Sequence, residues 1–203
     1  TLLFGDKYRV KIATRNVNIP GIQNFRDLGG YPSYSTKKQV RWGMIYRSAE
    51  IDSLECSSRR ELKNLGIKTL IDLRASSETG RQSPLQKEFN VVHIPLATGD
   101  MENILKGIRE EKIKSDTVYR MVERMNRILI DQYTKEYRQI FDILLDKNSY
   151  PVVIHCSSGK GRTGIVSALV LAALGINEDI IMEDYRLSND YFNIPSASKY
   201  AYQ

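Results

Sequence analysis

Residues 151–174 read Pro-Val-Val-Ile-His-Cys-Ser-Ser-Gly-Lys-Gly-Arg-Thr-Gly-Ile-Val-Ser-Ala-Leu-Val-Leu-Ala-Ala-Leu, and this stretch decides the fold. Pro151 to His155 is an apolar run of strand length, and a strand without polar alternation belongs in the middle of a sheet covered on both faces. Thr163 to Leu174 is apolar on every side, which predicts a helix packed inside the fold. The strand, the short loop of small residues and the helix make half of an α/β repeat, and the flanking sequence supplies the rest. Ser57 to Leu65 has helical spacing and ends at Gly66, and Ile67 to Leu73 follows as a strand. Val40 to Tyr46 and Val91 to Leu96 are further strand candidates, the latter stopped by Pro95. Tyr8 to Ile12 alternates, as an edge strand or a linker would. Between residues 117 and 145 apolar positions recur every three or four residues, predicting one or two long amphipathic helices, and Asn177 to Leu187 predicts a closing one. The class is α/β, with a central, mostly parallel sheet flanked by helices, and 203 residues suit one domain.

Composition narrows what such a domain does. Hydrophobic residues at 41% and charged residues at 27% are globular values, and the longest apolar run, Ile165 to Leu174, is half the roughly 20 residues a membrane span needs. A soluble chain without integral membrane association is expected. The net charge of +6 suits an anionic partner. The basic residues are scattered through helical stretches instead of forming an arm, so nucleic acid is not the expected partner. Two cysteines, Cys56 and Cys156, and two histidines, His93 and His155, are too few for a structural zinc site of about four ligands, so no metal is expected. The spacing leaves a disulfide between the cysteines open, a bond that would silence the chemistry below. The chain begins at Thr1 without an apolar signal segment, which leaves open a cytoplasmic protein or a secreted or periplasmic one with its leader removed. Oligomeric state is equally open.

The loop from His155 to Gly164 is built for an oxyanion. Small residues let consecutive N–H groups of Ser157, Ser158, Gly159, Lys160 and Gly161 point inward, and the helix that follows adds its dipole. The same dipoles, with an arginine close by, favour a thiolate, making Cys156 a nucleophile. Five residues separate it from Arg162, enough to wrap one phosphate and bring the guanidinium back onto two equatorial oxygens of the transition state. Thr163 is expected to donate its hydroxyl to the Cys156 sulfur, and His155 to orient the loop from behind through bonds to backbone. A nucleotide-triphosphate loop is excluded, because Ile154 and Gly161 stand where that motif requires Gly and Ser or Thr.

The segment resembles the signature of the protein tyrosine phosphatase superfamily: Cys, five residues, Arg. Asn24-Phe-Arg-Asp-Leu-Gly-Gly-Tyr31 is similar to a second hallmark of its bacterial atypical tyrosine and lipid phosphatases, the tyrosine phosphatase family 3 type. Trp42 to Ser48, Gly66 to Arg74 and Asp184 to Asn189 resemble the same branch, so the likeness runs from about residue 18 to residue 192. It implies a cysteine-phosphatase fold, a phospho-cysteine intermediate and no cofactor. It also implies an aspartate, on a loop after a neighbouring strand, that protonates the leaving group. Asp100 occupies the comparable place, although an Asp after Gly99 also suits a helix cap. Asp72 is expected to hold Arg74 or the Asn24 to Gly30 loop, and Arg26, Asp27 and Glu78 to support the site. One departure stands out: the branch commonly carries Asp before the loop arginine, where this chain has Gly161.

The Gly-Lys-Gly-Arg-Thr-Gly run is similar to the loop of phosphoinositide 3-phosphatases, in which the lysine helps bind an inositol-ring phosphate. The expected activity is hydrolysis of phosphomonoesters, with phosphorylated protein, chiefly phosphotyrosine, as substrate and dual-specificity or phosphoinositide and inositol phosphate substrates as the alternative. A phosphate-binding module that has lost turnover through Gly161, and a sulfur-transfer enzyme, are the competing readings. Residues 100–116, with Lys106, Arg109, Lys112 and Lys114, are the candidate lid.

Overall fold

Val152–His155 is fully buried along its length, and its side chains alternate between two apolar clusters as a pleated strand requires. Val152 and Ile154 join Ile45, Ile71, Leu129, Ile140, Val166, Val170 and Leu171 on one face. Val153 joins Phe25, Tyr46, Leu62, Leu70, Leu85 and Phe89 on the other. The computed structural model describes residues 2–4, 8–10, 12–52, 54–79, 84–97 and 115–193. Its strands are β1 (Leu2–Phe4), β2 (Tyr8–Val10), β3 (Arg26–Asp27), β4 (Pro32–Ser33), β5 (Lys38–Gln39), β6 (Ile45–Ser48), β7 (Thr69–Asp72), β8 (Asn90–His93) and β9 (Val152–His155). Its helices are α1 (Cys56–Asn64), α2 (Ser115–Gln132), α3 (Thr134–Leu145), α4 (Gly161–Ala173), α5 (Glu178–Arg186) and α6 (Ser188–Tyr191).

Five strands form the central sheet in the order β3-β6-β9-β7-β8. β6, β9, β7 and β8 run parallel, and only β3 is antiparallel. The expected mostly parallel sheet with β9 at its centre is what forms. Helices α1 and α4 both stop on a glycine in the left-handed region, Gly66 and Gly175. In each the residue after the glycine bonds back to the third-last helical carbonyl, Ile67 N–H to Leu62 and Ile176 N–H to Leu171, the closure that glycine permits at a helix end. Helix α5 starts where Asn177 accepts from the Asp179 N–H at 2.8 Å, satisfying one orphan donor.

Three expectations need correction. Tyr8–Val10 is not an edge of the central sheet; it pairs with Leu2–Phe4 in a separate two-stranded sheet, and the edges of the central sheet are β3 and β8. The strand expected at 40–46 begins only at Ile45, because Gly43 turns the chain with φ +76° and its N–H is tied to the Asp27 carboxylate at 2.6 Å. Helix α4 is not enclosed on every side: Leu169 is 38% exposed. The amphipathic region resolves into two helices, α2 and α3, broken at Tyr133. No helix among the described residues is long and apolar enough to cross a membrane.

Candidate active site

Parallel strands leave a crevice at their carboxyl ends, and the loop from the central one opens into it. Cys156 is the first residue past β9 and is 1% exposed; Arg162 lies in the first turn of α4. Both cysteines are free thiols, Cys56 being exposed.

Three successive loop carbonyls are each held by a different element. The Glu50 N–H donates to Ser157 O at 3.2 Å, Asn24 Nδ2 donates to Ser158 O at 3.0 Å, and Arg47 donates to Gly159 O at 2.8 Å. In a trans peptide the N–H points opposite to the C=O. Fixing those carbonyls outward therefore turns the N–H groups of Ser158, Gly159 and Lys160 toward the hollow of the loop. The Lys160 N–H also lies 3.4 Å from Ser158 Oγ. Gly159 is obligatory: its φ is +67°, and a Cβ there would sit 2.4 Å from Ser48 O.

The arginine comes back over the loop as the spacing predicts. Its Nη2 reaches Ser157 Oγ at 3.2 Å, beside the cysteine, and Glu78 grips the guanidinium with both carboxylate oxygens. Ser157 Oγ donates to the same carboxylate at 2.7 Å, and the Ala75 N–H does so at 2.8 Å. Burial works to raise the Glu78 carboxyl, but these bonds and the Arg162 charge outweigh it and bring its pKa down to about 2. Burial likewise opposes the Arg162 charge, and Glu78 with Cys156 more than restores it. Asp72 holds Arg74 through bonds of 2.6 to 3.2 Å, as expected; Arg74 also meets Asp52 at 2.6 Å. Burial would raise Asp72, but the bonds from Arg74 and its charge hold it low. Glu50 differs: burial first, and the charges of Asp52, Asp72 and Glu78, raise its carboxyl against the pull of Arg74.

Beneath the loop lies a buried cluster. Asp184 accepts from Arg47 at 2.6 Å, from Arg26 Nε at 3.3 Å and from the Tyr31 hydroxyl at 3.0 Å. Arg26 also donates to the Asp184 carbonyl at 2.9 Å, to Ser188 Oγ at 3.1 Å and to the Asn24 side chain. Asp27 accepts from the N–H groups of Gly29 and Gly43, bracing the turn next to β3. Arg26 and Asp27 thus support the loop, one through Asn24 and Asp184, the other through the adjacent turn.

Two expectations fail locally. The Thr163 hydroxyl is buried without a hydrogen-bond partner among the described residues, so it does not donate to Cys156. His155 makes no bond through Nδ1; the nearest acid, Asp72, is 4.0 Å away and spent on Arg74. Burial brings the His155 pKa down to about 4, against the pull of Asp72, so it is a neutral residue behind the loop. Lys160 donates to Asn189 at 2.7 Å. Gly161 faces open space. Asp100 and the candidate lid at 100–116 lie outside the described residues or their described side chains. Sequence reasoning gave no role to Arg47 or Asp184, although both fall in stretches it singled out, 42–48 and 184–189.

A family model described as "Tyrosine phosphatase family" matches residues 17–202. The triple specificity protein phosphatase PtpB of Mycobacterium tuberculosis is 32% identical over 194 residues, covering 85% of this chain and 68% of that protein. A Cupriavidus necator relative is 29% identical over 171 residues, covering 83% of this chain and 61% of its own. The solved catalytic core of Siw14 superposes with a TM-score of 0.47 at 18% identity, over 75% of this chain and 73% of that one. With the model match spanning the described cysteine loop, its arginine and their supports, the chain belongs to the tyrosine phosphatase family.

Proposed function

We propose that this chain is a phosphomonoester hydrolase acting through a phospho-cysteine intermediate, built as one domain with its core at residues 18–192. The observation that carries the reading is the return of Arg162 to the residue beside Cys156, with the carboxylate of Glu78 fixing the fork. Cys156 attacks phosphorus, the ester oxygen leaves with a proton, and water then releases phosphate from the sulfur. Ser157, Ser158, Gly159, Lys160 and Gly161 offer N–H groups to the equatorial oxygens, and Arg162 binds two of them as charge spreads in the transition state.

Asp72 and Glu78 are tied to arginines and held as anions, so neither is a proton donor at neutral pH. That leaves Asp100 as the general acid, with Glu50, whose carboxyl is raised, as its rival. Asp100→Ala is expected to slow alkyl esters more than aryl esters, since only the poorer leaving group needs the proton. Equal rates on both, together with that selective loss in Glu50→Gln, would transfer the role to Glu50. Phosphotyrosine is the leading substrate. The triple specificity in the name of the PtpB relative favours a substrate range wider than phosphotyrosine. The amine of Lys160, which among the described residues donates to the neutral amide of Asn189, favours phosphoinositides or inositol phosphates within it.

The deciding test is hydrolysis of an aryl phosphate, with EDTA and a thiol reductant present, by the native chain and by Cys156→Ser. Turnover that disappears in the variant establishes the mechanism. Turnover in neither would make this chain a phosphate-binding module.

A further inference from the structure

Three stretches singled out in the sequence, 24–31, 42–48 and 184–189, meet beneath the loop in the cluster of Arg26, Arg47 and Asp184. The reaction just described uses none of them. Arg26 alone matches the charge of Asp184: it reaches one carboxylate oxygen at 3.3 Å and the main-chain carbonyl, and spends its other N–H groups on Ser188 and Asn24, while Arg47 holds the second carboxylate oxygen at 2.6 Å. That pair is complete in charge. Arg47 is then a second fully buried cation against one carboxylate, an arrangement whose desolvation is not repaid by pairing. Arg26 registers the excess: burial first, and then the charge of Arg47, bring its pKa down to about 10 in spite of Asp184. The Arg47 Nε has no partner among the described residues.

What Arg47 has and Arg26 lacks is a bond to the catalytic loop, on Gly159 O. Without that bond the peptide after Gly159 can turn about the ψ of Gly159, which the missing Cβ leaves broad. Turning it would replace the Lys160 N–H in the hollow with a carbonyl, which repels phosphate. The buried arginines on the other side of the loop are already matched, Arg162 by Glu78 and Arg74 by Asp72 and Asp52, so Arg47 brings uncompensated positive charge to the underside of the loop.

We infer that Arg47 is a positioning residue for phosphate: it pins the Gly159–Lys160 peptide with its N–H inward, and its surplus charge is answered by the bound dianion. This rests on reading the loop as a phosphate cradle. The test is binding of inorganic phosphate, by calorimetry, to the native chain and to Arg47→Met, with melting temperatures measured alongside. Phosphate affinity falls about tenfold or more in Arg47→Met, the scale of one charge-assisted hydrogen bond. Its melting temperature falls less than that of Asp184→Asn, because Arg26 still offsets the Asp184 charge. Affinity within twofold of native in the folded variant overturns the inference.

Should Arg47→Met not fold, Arg47→Lys keeps the buried charge but lacks the planar fork that spans Asp184 and Gly159. It is expected to lose about fivefold in phosphate affinity, and unchanged affinity there also overturns the inference. A native chain that binds no phosphate would sink the cradle reading itself, an outcome distinct from equal binding by native and variant.

Discussion

The catalytic loop rests on a floor and is gripped at a rim, and the two are made differently. The floor is Arg26, Arg47, Asp184 and His155, all at 2% exposure or less, with Arg47 reaching the loop through the Gly159 carbonyl. The rim is Glu78 with Arg162 and Ser157, side chain to side chain, with the Glu78 carboxylate 34% exposed. A buried ion cluster is expensive to disturb because any partner left behind is a charge out of water. A partly exposed one is screened and contributes little to stability, so its value lies in where it holds the guanidinium. Floor changes should therefore show in the fold, and rim changes in the chemistry.

The largest effect expected is at Asp184. Asp184→Asn leaves two buried arginines without a carboxylate, and removing one partner from such a cluster costs about 3–5 kcal/mol. Urea denaturation should show a loss of that order; a loss under 1 kcal/mol would break the distinction between floor and rim. At the rim, Glu78→Gln removes the charge that aligns Arg162. We expect kcat/KM on an aryl phosphate to fall about tenfold, the order of one charge-assisted bond, with a smaller loss of stability than in Asp184→Asn. The reverse pattern, full activity with lost stability, would make Glu78 a structural residue.

How much of this the sequence discloses follows from how local each feature is. Cys156, Arg162, the strand and the helix sit in one unbroken segment, where periodicity and spacing suffice. The carbonyl anchors come from residues more than a hundred positions away, and no spacing rule connects them. Arg47 lies in a four-residue strand where an arginine would ordinarily mark a solvent-facing position; α4 packed on that strand, with Asp184 of α5 and Ser188 of α6, buries it. Asp184 is one of four acids in Glu178–Arg186, and only tertiary packing chooses among them. Thr163 and His155 differ from expectation for the opposite reason: both flank the loop in sequence, yet neither the Thr163 hydroxyl nor the His155 Nδ1 meets a hydrogen-bond partner among the described residues.

Acid separates the two regions. His155 in the fold titrates near 4, below the ordinary 6.5. Between those values the unfolded chain takes up a proton that the folded chain refuses, so stability falls as pH drops from about 6.5 to about 4 and the loss is then complete. Glu78 is depressed from 4.5 to about 2, so its contribution is whole above 4.5 and lost as pH falls toward 2. Urea midpoints measured against pH should show the upper decline missing in His155→Gln and the lower one reduced in Glu78→Gln. An identical profile in His155→Gln would mean that its imidazole does not carry the first decline.

The smallest effect expected concerns the two glycines of the loop, and it tests the comparison where the regions are two residues apart. Gly159 faces the floor and has no room for a methyl group, as its approach to the Ser48 carbonyl requires. Gly161 faces the rim: a Cβ there meets nothing within 4 Å, and its φ lies outside the left-handed range. It is the first residue of α4, where glycine costs conformational entropy that alanine does not. Gly161→Ala is therefore expected to stabilise the chain by about 0.4–1 kcal/mol, read as a raised urea midpoint at unchanged m-value. A loss of stability would mean that the rim at this position is as tightly built as the floor.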